Sequence, residues 1–189
     1  MPARRRSSET ARAWLIAGRY ARLEVIATYP APKGQKAHET VVTFKDVKPS
    51  QLHAALESIG LKPGKPARGE GSKAAGPELR IRLEVPDQAG KPRRIPIEQI
   101  MIDRKGNKPV PALTWHFTGS NLRQIDPESD QKSYGADTTG TLISIFPVTD
   151  DTVIQSSLTS RDEAAIKLEI APNTLPKEGT PLRLIIDAK

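Results

Sequence analysis

Apolar residues recur along the chain at the two-residue spacing of β-strands. In residues 78–85, Leu79, Ile81 and Leu83 alternate with charged side chains, which is the pattern of a strand with one buried face. Gly18 and Arg19 suit a hairpin turn between two further predicted strands, at residues 13–17 and 20–29. β-Branched or alternating stretches predict the remaining strands at residues 38–44, 91–97, 112–118, 141–146, 165–170 and 181–186.

One stretch has helical spacing instead. Leu52, Leu56 and Ile59 lie four and three positions apart, so they form one apolar stripe on a helix. Gly60 suits the left-handed residue that commonly ends a helix. The pattern therefore predicts one main helix at about residues 49–59. Together with the strands, it predicts an α+β fold with a mostly antiparallel, sandwich-like sheet.

Charge limits the classes of partner. The 189 residues carry a net charge of +7, and residues 1–110 hold 22 Lys and Arg against 11 Asp and Glu. Such an excess attracts polyanions, but aromatic residues that would stack on bases are not interleaved with it. Weak non-specific polyanion binding is therefore only the third interpretation of function, and no specific nucleic acid is expected. The basic residues concerned are Arg4, Arg5, Arg6, Arg93 and Arg94.

The domain organisation follows from the same composition. Residues 1–12 are rich in Arg and Ser with little to bury, so we expect a disordered basic tail there. Residues 13–189 are predicted to form a single α+β domain, a size at which one core is normal. No stretch approaches the roughly 20 apolar residues of a membrane-spanning helix.

Missing residues and motifs exclude several classes of activity. The chain has no Cys, which rules out disulfides, thiolate metal sites, iron–sulfur clusters and a Cys nucleophile. His38 and Glu39 begin a zinc-protease motif, but Val42 stands where the second His would be. Neither phosphate-binding glycine loops nor the common serine-nucleophile motifs occur. No cofactor is expected, and a non-enzymatic binding or structural module is favoured.

Several segments, taken in order, resemble the YdjY-like family of uncharacterised bacterial proteins, of the kind common in planctomycetes. The similar segments are residues 36–42, 51–64, 115–120, 126–128, 134–137, 142–146 and 155–157. The resemblance implies a location in the periplasm or at the cell surface, because family members often begin with an export signal. The start of this chain shows no clear signal peptide, so either a cytoplasmic protein or an upstream segment is expected. Thr28 stands about where relatives often carry a Cys, which removes any support for a ferredoxin-like role.

Polar residues at predicted strand ends suggest a binding rim. Lys36, His38 and Glu39 precede one strand, Ser120 follows another, and Asp137 precedes a third. Antiparallel strands can bring such ends to one rim, where this mixture of groups suits a small polar or anionic ligand. The alternative for the first three is structural: Glu39 pairs with a nearby cation, and His38 bonds a backbone carbonyl. A rival function is a hydrolase whose site is built from His38, Glu39, Ser120 and Asp137.

An acidic loop gives a weak calcium candidate. Asp126, Glu128, Asp130 and Asp137 place oxygen donors at positions 1, 3, 5 and 12 of a 12-residue loop. Gln131 stands where such loops need Gly, and the twelfth residue is Asp rather than the longer Glu. A polar turn is the simpler interpretation, so no metal is expected.

Overall fold

The computed structural model describes residues 8–15, 22–87, 89–124, 127–128 and 130–189. Its strands are β1 (Ser8–Leu15), β2 (Val25–Thr28), β3 (Thr40–Thr43), β4 (Glu78–Pro86), β5 (Pro92–Pro96), β6 (Met101–Asp103), β7 (Lys108–Pro109), β8 (Trp115–Phe117), β9 (Leu122–Gln124), β10 (Lys132–Tyr134), β11 (Thr141–Ser144), β12 (Ile154–Ser156), β13 (Leu168–Ile170) and β14 (Pro181–Ala188). The α-helices are α1 (Pro49–Ser58), α2 (Gly135–Thr139) and α3 (Ser160–Ala165), and single 3-10 turns occur at Ala37–Glu39 and Ile97–Ile100.

Nine strands form the main sheet, in the order β14-β1-β3-β2-β11-β12-β8-β4-β5. The sheet curls until β14 also pairs with β4, so eight of the nine strands close a ring and β5 extends from it. Most neighbours are antiparallel, while β2–β3 and β11–β12 are parallel. One longer helix and this largely antiparallel sheet confirm the predicted α+β class.

The first strand differs from the sequence prediction in both extent and partner. Ser8 pairs opposite Asp187, so residues 8–12, predicted to be disordered, belong to β1 along the edge of β14. The predicted hairpin is wrong, because β1 pairs with β14 and β3 while β2 pairs with β3 and β11. The turn proposed at Gly18 and Arg19, and the tail arginines at positions 4–6, lie outside the described residues. Both errors concern partners distant in sequence, which a local pattern does not specify.

The apolar core fills the interior of the curled sheet. Leu56 and the inward-facing Leu79, Ile81 and Leu83 of β4 belong to one continuous cluster with Trp115. Ile59 lies at the margin of that cluster, where it ends α1 as its C-cap residue. Gly60 follows with φ +90°, as the predicted helix end requires. Helix α1 lies closest to α2 and β1.

An irregular stretch, residues 63–75, crosses the end of β8 next to α1. Lys65 and Ala75 exchange backbone hydrogen bonds, and the Gly64 amide donates to the Phe117 carbonyl. The buried Ala67 amide donates to the Gln155 side chain at 2.7 Å. We call this stretch the 63–75 segment; these contacts fix it as one wall of the site described below. None of the helices in the described residues is long and apolar enough to cross a bilayer.

Candidate functional site

A groove of about 430 Å³ opens between α1, the 63–75 segment and the turn that follows β8. Its polar lining comes from three places in the sequence that lie far apart. Six of the lining residues bear polar or charged side chains, namely His53, Lys65, Arg68, Thr118, Ser120 and Asn121. The groove therefore combines two cations, an imidazole and hydroxyl and amide groups.

Gly119 permits the three walls to meet. Its φ of +68° is in the left-handed region that favours glycine. A Cβ atom there would lie 2.8 Å from Pro63 Cβ and 3.1 Å from His53 Cε1. Any other residue would push α1 and the 63–75 segment away from the turn, so the groove depends on this glycine.

His53 is held through its inner nitrogen. His53 Nδ1 lies 2.7 Å from the Tyr134 hydroxyl, which also accepts a hydrogen bond from the Ser120 amide at 3.0 Å. The imidazole packs edge-on against Phe117 and Tyr134, with ring centroids 5.0 and 5.3 Å apart. Burial raises the pKa of Tyr134 above its ordinary value, although the hydrogen bond from Ser120 opposes this. The phenol is thus a neutral anchor beneath the groove.

Ser120 joins the same floor to two neighbouring carboxylates. Its hydroxyl accepts from the Ala136 amide at 3.0 Å and donates to Asp151 Oδ1 at 3.4 Å. Asp151 is buried and lies directly against Gly135, where a Cβ would stand 2.1 Å from Oδ1. Arg123 binds Asp151 through Nε and Asp150 through a second nitrogen at 2.7 Å. The hydrogen bond to Asp151 raises the pKa of Arg123.

The two cations at the mouth of the groove, Arg68 and Lys65, differ in whether their charged groups already have partners. Arg68 Nε pairs with Asp150 at 2.9 Å and a second nitrogen donates to Asn121 at 2.5 Å, while 61% of the side chain stays exposed. Lys65 is exposed, and no partner for its ammonium group occurs among the described residues. Lys65 is therefore the cation most available to a ligand.

Lys36, His38 and Glu39 form a separate group of charges. Lys36 Nζ lies 2.5 Å from Glu24 Oε2 and 2.8 Å from Glu39 Oε2. Glu24 is buried, whereas His38 is 63% exposed and lies 3.8 Å from Glu39. Glu39 therefore pairs with a nearby cation, Lys36, which is the structural alternative given for it in the sequence analysis.

The titration of this group follows from burial and pairing. Burial raises the pKa of Glu24, and the hydrogen bond from Lys36 offsets only part of the effect. Burial, the largest single influence, acts in the same direction on Glu39, but the hydrogen bonds with Lys36 and Glu24 and the charge of Lys36 together outweigh it, so the pKa is lowered. Burial alone would lower the pKa of Lys36, yet its hydrogen bonds to the two carboxylates raise it. The ammonium therefore stays charged and compensates a buried carboxylate.

Asp137 has a third location. Its Oδ1 accepts from the Ser50 amide at 2.8 Å, and its Oδ2 accepts from the Ser50 hydroxyl at 2.6 Å. Within the described residues, no hydrogen bond or ion pair joins Lys36, His38 or Glu39 to Ser120 or Asp137. Of the five predicted site residues, only Ser120 lines the groove. A single ligand that spans all five stays a prediction.

The calcium candidate is not tested as a whole. Asp126 lies outside the described residues, and the Asp137 carboxylate is bound to Ser50. In the part of the chain that is described, no group of three or more His, Asp or Glu side chains could hold a metal ion.

His53, Tyr134 and Asp151 were missed by the sequence analysis. His53 stands beside the apolar stripe of α1, where a histidine usually marks only the boundary of the buried face. One feature of the sequence could have pointed to this site, since Ser120 and Tyr134 both lie in the segments that carry the family resemblance. Segments 115–120 and 134–137 meet at the groove through the hydrogen bond between Ser120 and Tyr134, which their order along the chain did not reveal.

Comparison with known proteins gives one match. The profile of the family described as YdjY domain matches residues 11–187. No curated protein and no solved structure matches the chain.

Proposed function

The chain belongs to the YdjY domain family, and from this premise we propose that it is a binding module for a small anionic ligand, which occupies the groove beside α1. The observation that carries the proposal is the exposed Lys65, whose ammonium has no partner among the described residues, in the same groove as a hydrogen-bonded floor of His53, Tyr134 and Ser120. Concave sites with a few convergent polar groups are the usual form of small-ligand sites.

The rival hydrolase finds less support at Ser120. A serine nucleophile needs a base within hydrogen-bond reach that can take its proton. The Ser120 hydroxyl instead donates to Asp151, a carboxylate paired with Arg123, and accepts from the Ala136 amide. His53 Nδ1 is bound to Tyr134 rather than to the serine. Ser120 is thus used to hold the floor of the groove together.

Polyanion binding by the basic surface also finds less support. Arg94 and Arg183 both pair with Glu84, at 2.9 and 3.2 Å. Arg82 pairs with Asp187 at 2.6 Å, and Arg93 donates to the Thr174 carbonyl. Charges already paired on the surface contribute little to long-range attraction.

The envelope location is a further part of the proposal, and its support is the family resemblance alone. Cell fractionation of the native bacterium with an antibody to this chain tests it. We expect the protein in the periplasmic or surface fraction, whereas recovery with cytoplasmic markers would contradict this part without affecting the groove.

Titration with inorganic phosphate, sulfate and acetate, followed by amide chemical shifts in two-dimensional NMR, tests the ligand class. We expect saturable shifts at His53, Lys65 and Ser120, with dissociation constants of about 1 mM, which is typical of a fragment-sized ligand. Glycerol is the uncharged control. Shifts that do not saturate, or that spread over the whole surface, would contradict the proposal.

A pair of lysine variants tests the site. Lys65→Gln removes the available cation of the groove, and Lys91→Gln removes an exposed lysine from the β4–β5 turn. Both change the net charge equally, so a general electrostatic effect would appear in both. We expect a severalfold loss of anion affinity in Lys65→Gln alone. An equal loss in the two variants would place binding elsewhere.

A further inference from the structure

The proton positions around His53 can be assigned from its neighbours. The Tyr134 hydroxyl has one proton to donate and already accepts from the Ser120 amide at 3.0 Å. Among the described residues its only other partner is His53 Nδ1, at 2.7 Å. Among the described residues, the phenol proton has an acceptor only if Nδ1 is unprotonated, and the neutral imidazole then carries its proton on Nε2.

The tyrosine can fulfil this role because it stays protonated. It is partly buried between His53 and the Ser120 turn, and burial raises its pKa. If Nδ1 carried the proton, Tyr134 would accept two hydrogen bonds and its own proton would have no acceptor among the described residues, so the opposite tautomer is disfavoured. Tyr134 is thus a positioning residue for His53.

A carboxylate of the same helix occupies the outer side of the imidazole. Glu57 Oε2 lies 3.5 Å from His53 Nε2, four residues along α1. The usual N–H···O distance is about 2.9–3.0 Å, so this contact is weak. Glu57 is 52% exposed and His53 only 19%. The carboxylate can swing into solvent, while the imidazole is fixed.

We propose that the Nε2–H group of His53 is the ligand-directed hydrogen-bond donor of the groove, held in that tautomer by Tyr134, and that Glu57 covers it until the oxyanion of a ligand takes its place. This rests on the proposed function of the groove. The ligand class is a compound with a carboxylate or phosphate group, because such a group reproduces the contact that Glu57 makes. Lys65 and Arg68 lie at the same groove and supply the balancing charge.

A glutamate variant tests the covering role. Glu57→Gln removes the competing anion and leaves a side chain of the same length, and Glu178→Gln is a control at an exposed residue away from the groove. Interactions of an exposed charge contribute up to about 1 kcal/mol, so removal of the Glu57 charge should tighten phosphate binding about two- to fivefold relative to the control. Unchanged or weaker phosphate binding in Glu57→Gln would overturn the covering role.

The tautomer is read directly in the wild-type protein. Long-range ¹H–¹⁵N correlation of the imidazole at about pH 8, where a histidine is ordinarily neutral, distinguishes protonated Nε2 from protonated Nδ1. We expect His53 to be almost entirely the Nε2–H form, and mixed in Tyr134→Phe. A predominantly Nδ1–H form in the wild type would overturn the inference, whether or not the phenylalanine variant folds.

The two proposals fail differently. If phosphate and acetate do not bind the wild-type groove, the proposed function fails while the tautomer can still be measured. If they bind and Lys65→Gln weakens them, but Glu57→Gln matches Glu178→Gln, only the present inference fails. Comparison of phosphate with acetate shows which oxyanion the groove prefers.

Discussion

Asp137 holds Ser50 through both carboxylate oxygens, one on the amide and one on the hydroxyl, at 2.8 and 2.6 Å. Ser50 lies in the first turn of α1, whose amides have no partner within the helix. The contact therefore ties the short helix α2 to the start of the helix that carries His53. A carboxylate at this end is also favoured by the helix dipole.

Replacement of Asp137 by Ala should lower stability because it removes this cap. Loss of a capping side chain costs about 0.5–2 kcal/mol, and we expect a value in the upper half of that range. Urea unfolding followed by circular dichroism measures it. Asp137→Asn keeps one carbonyl acceptor for Ser50 and should lose less. Equal midpoints for wild type and Asp137→Ala would mean that the contact contributes nothing.

Replacement of Lys36 by Gln should destabilise the protein most near neutral pH. The buried Glu24 carboxylate would lose its cation, which we expect to cost about 1–3 kcal/mol. Because burial already raises the pKa of Glu24, the variant can relieve this cost by protonating that group. The loss should therefore shrink as the pH falls toward about 4.5. Stability curves of variant and wild type that run parallel from pH 4 to 8 would refute this account.

Tyrosine ionisation should begin at unusually high pH. Burial, with a smaller contribution from the charge of Asp137, raises the pKa of Tyr29 to about 12, and burial also raises that of Tyr134. An unfolded tyrosine ionises at about pH 10, so both groups favour the folded state below that pH. Their contribution is lost as the pH rises toward about 12.

Absorbance at 295 nm in a Tyr20→Phe background measures this titration, since Tyr20 lies outside the described residues. We expect no tyrosinate step near pH 10. The step should appear near pH 12, or with the loss of the circular dichroism signal if the chain unfolds first. A step of one tyrosine or more near pH 10 in the folded protein would contradict the burial of these rings.

Truncation of Leu56 should cost more than truncation of its neighbour on the stripe. Leu56 is fully buried in the core, and Leu56→Ala should lose about 2–5 kcal/mol. Ile59 lies at the margin of the core, so Ile59→Ala should lose less. Denaturant midpoints compare the two variants directly. A larger loss for Ile59→Ala would show that α1 packs with a different face inward.

Local pattern was sufficient for elements that bury one clear face. The alternation in residues 78–85 predicted β4, and the stripe on Leu52 and Leu56 predicted α1 to within one residue of its observed end. The segment 20–29 was predicted too long, since its strand is Val25–Thr28. The pairing partners of the strands could not be predicted in this way, because the pairing of Ser8 with Asp187 depends on closure of the whole sheet.

The candidate site was predicted only in part for the same reason. Ser120 stood out because it follows a predicted strand after a glycine. Its relation to Tyr134 and Asp151 depends on how three separate loops pack. His53 and Tyr134 are 81 residues apart, and no spacing rule connects a histidine on a helix with a tyrosine at a strand end. Lys36 and Glu39 are three residues apart and form an ion pair, a contact that local spacing is enough to suggest.

Because β14 lies between β1 and β4, the ring of strands cannot close until β14 has been synthesised. Residues 181–188 follow every other strand in the chain, yet they occupy the gap that closes the ring. Until residues 181–188 have been synthesised and have paired, β1 and β4 each present an open edge, which is a template for pairing with other chains. A nascent chain stalled before residue 181 should therefore depend on chaperones far more than a chain in which β14 has paired with β1 and β4.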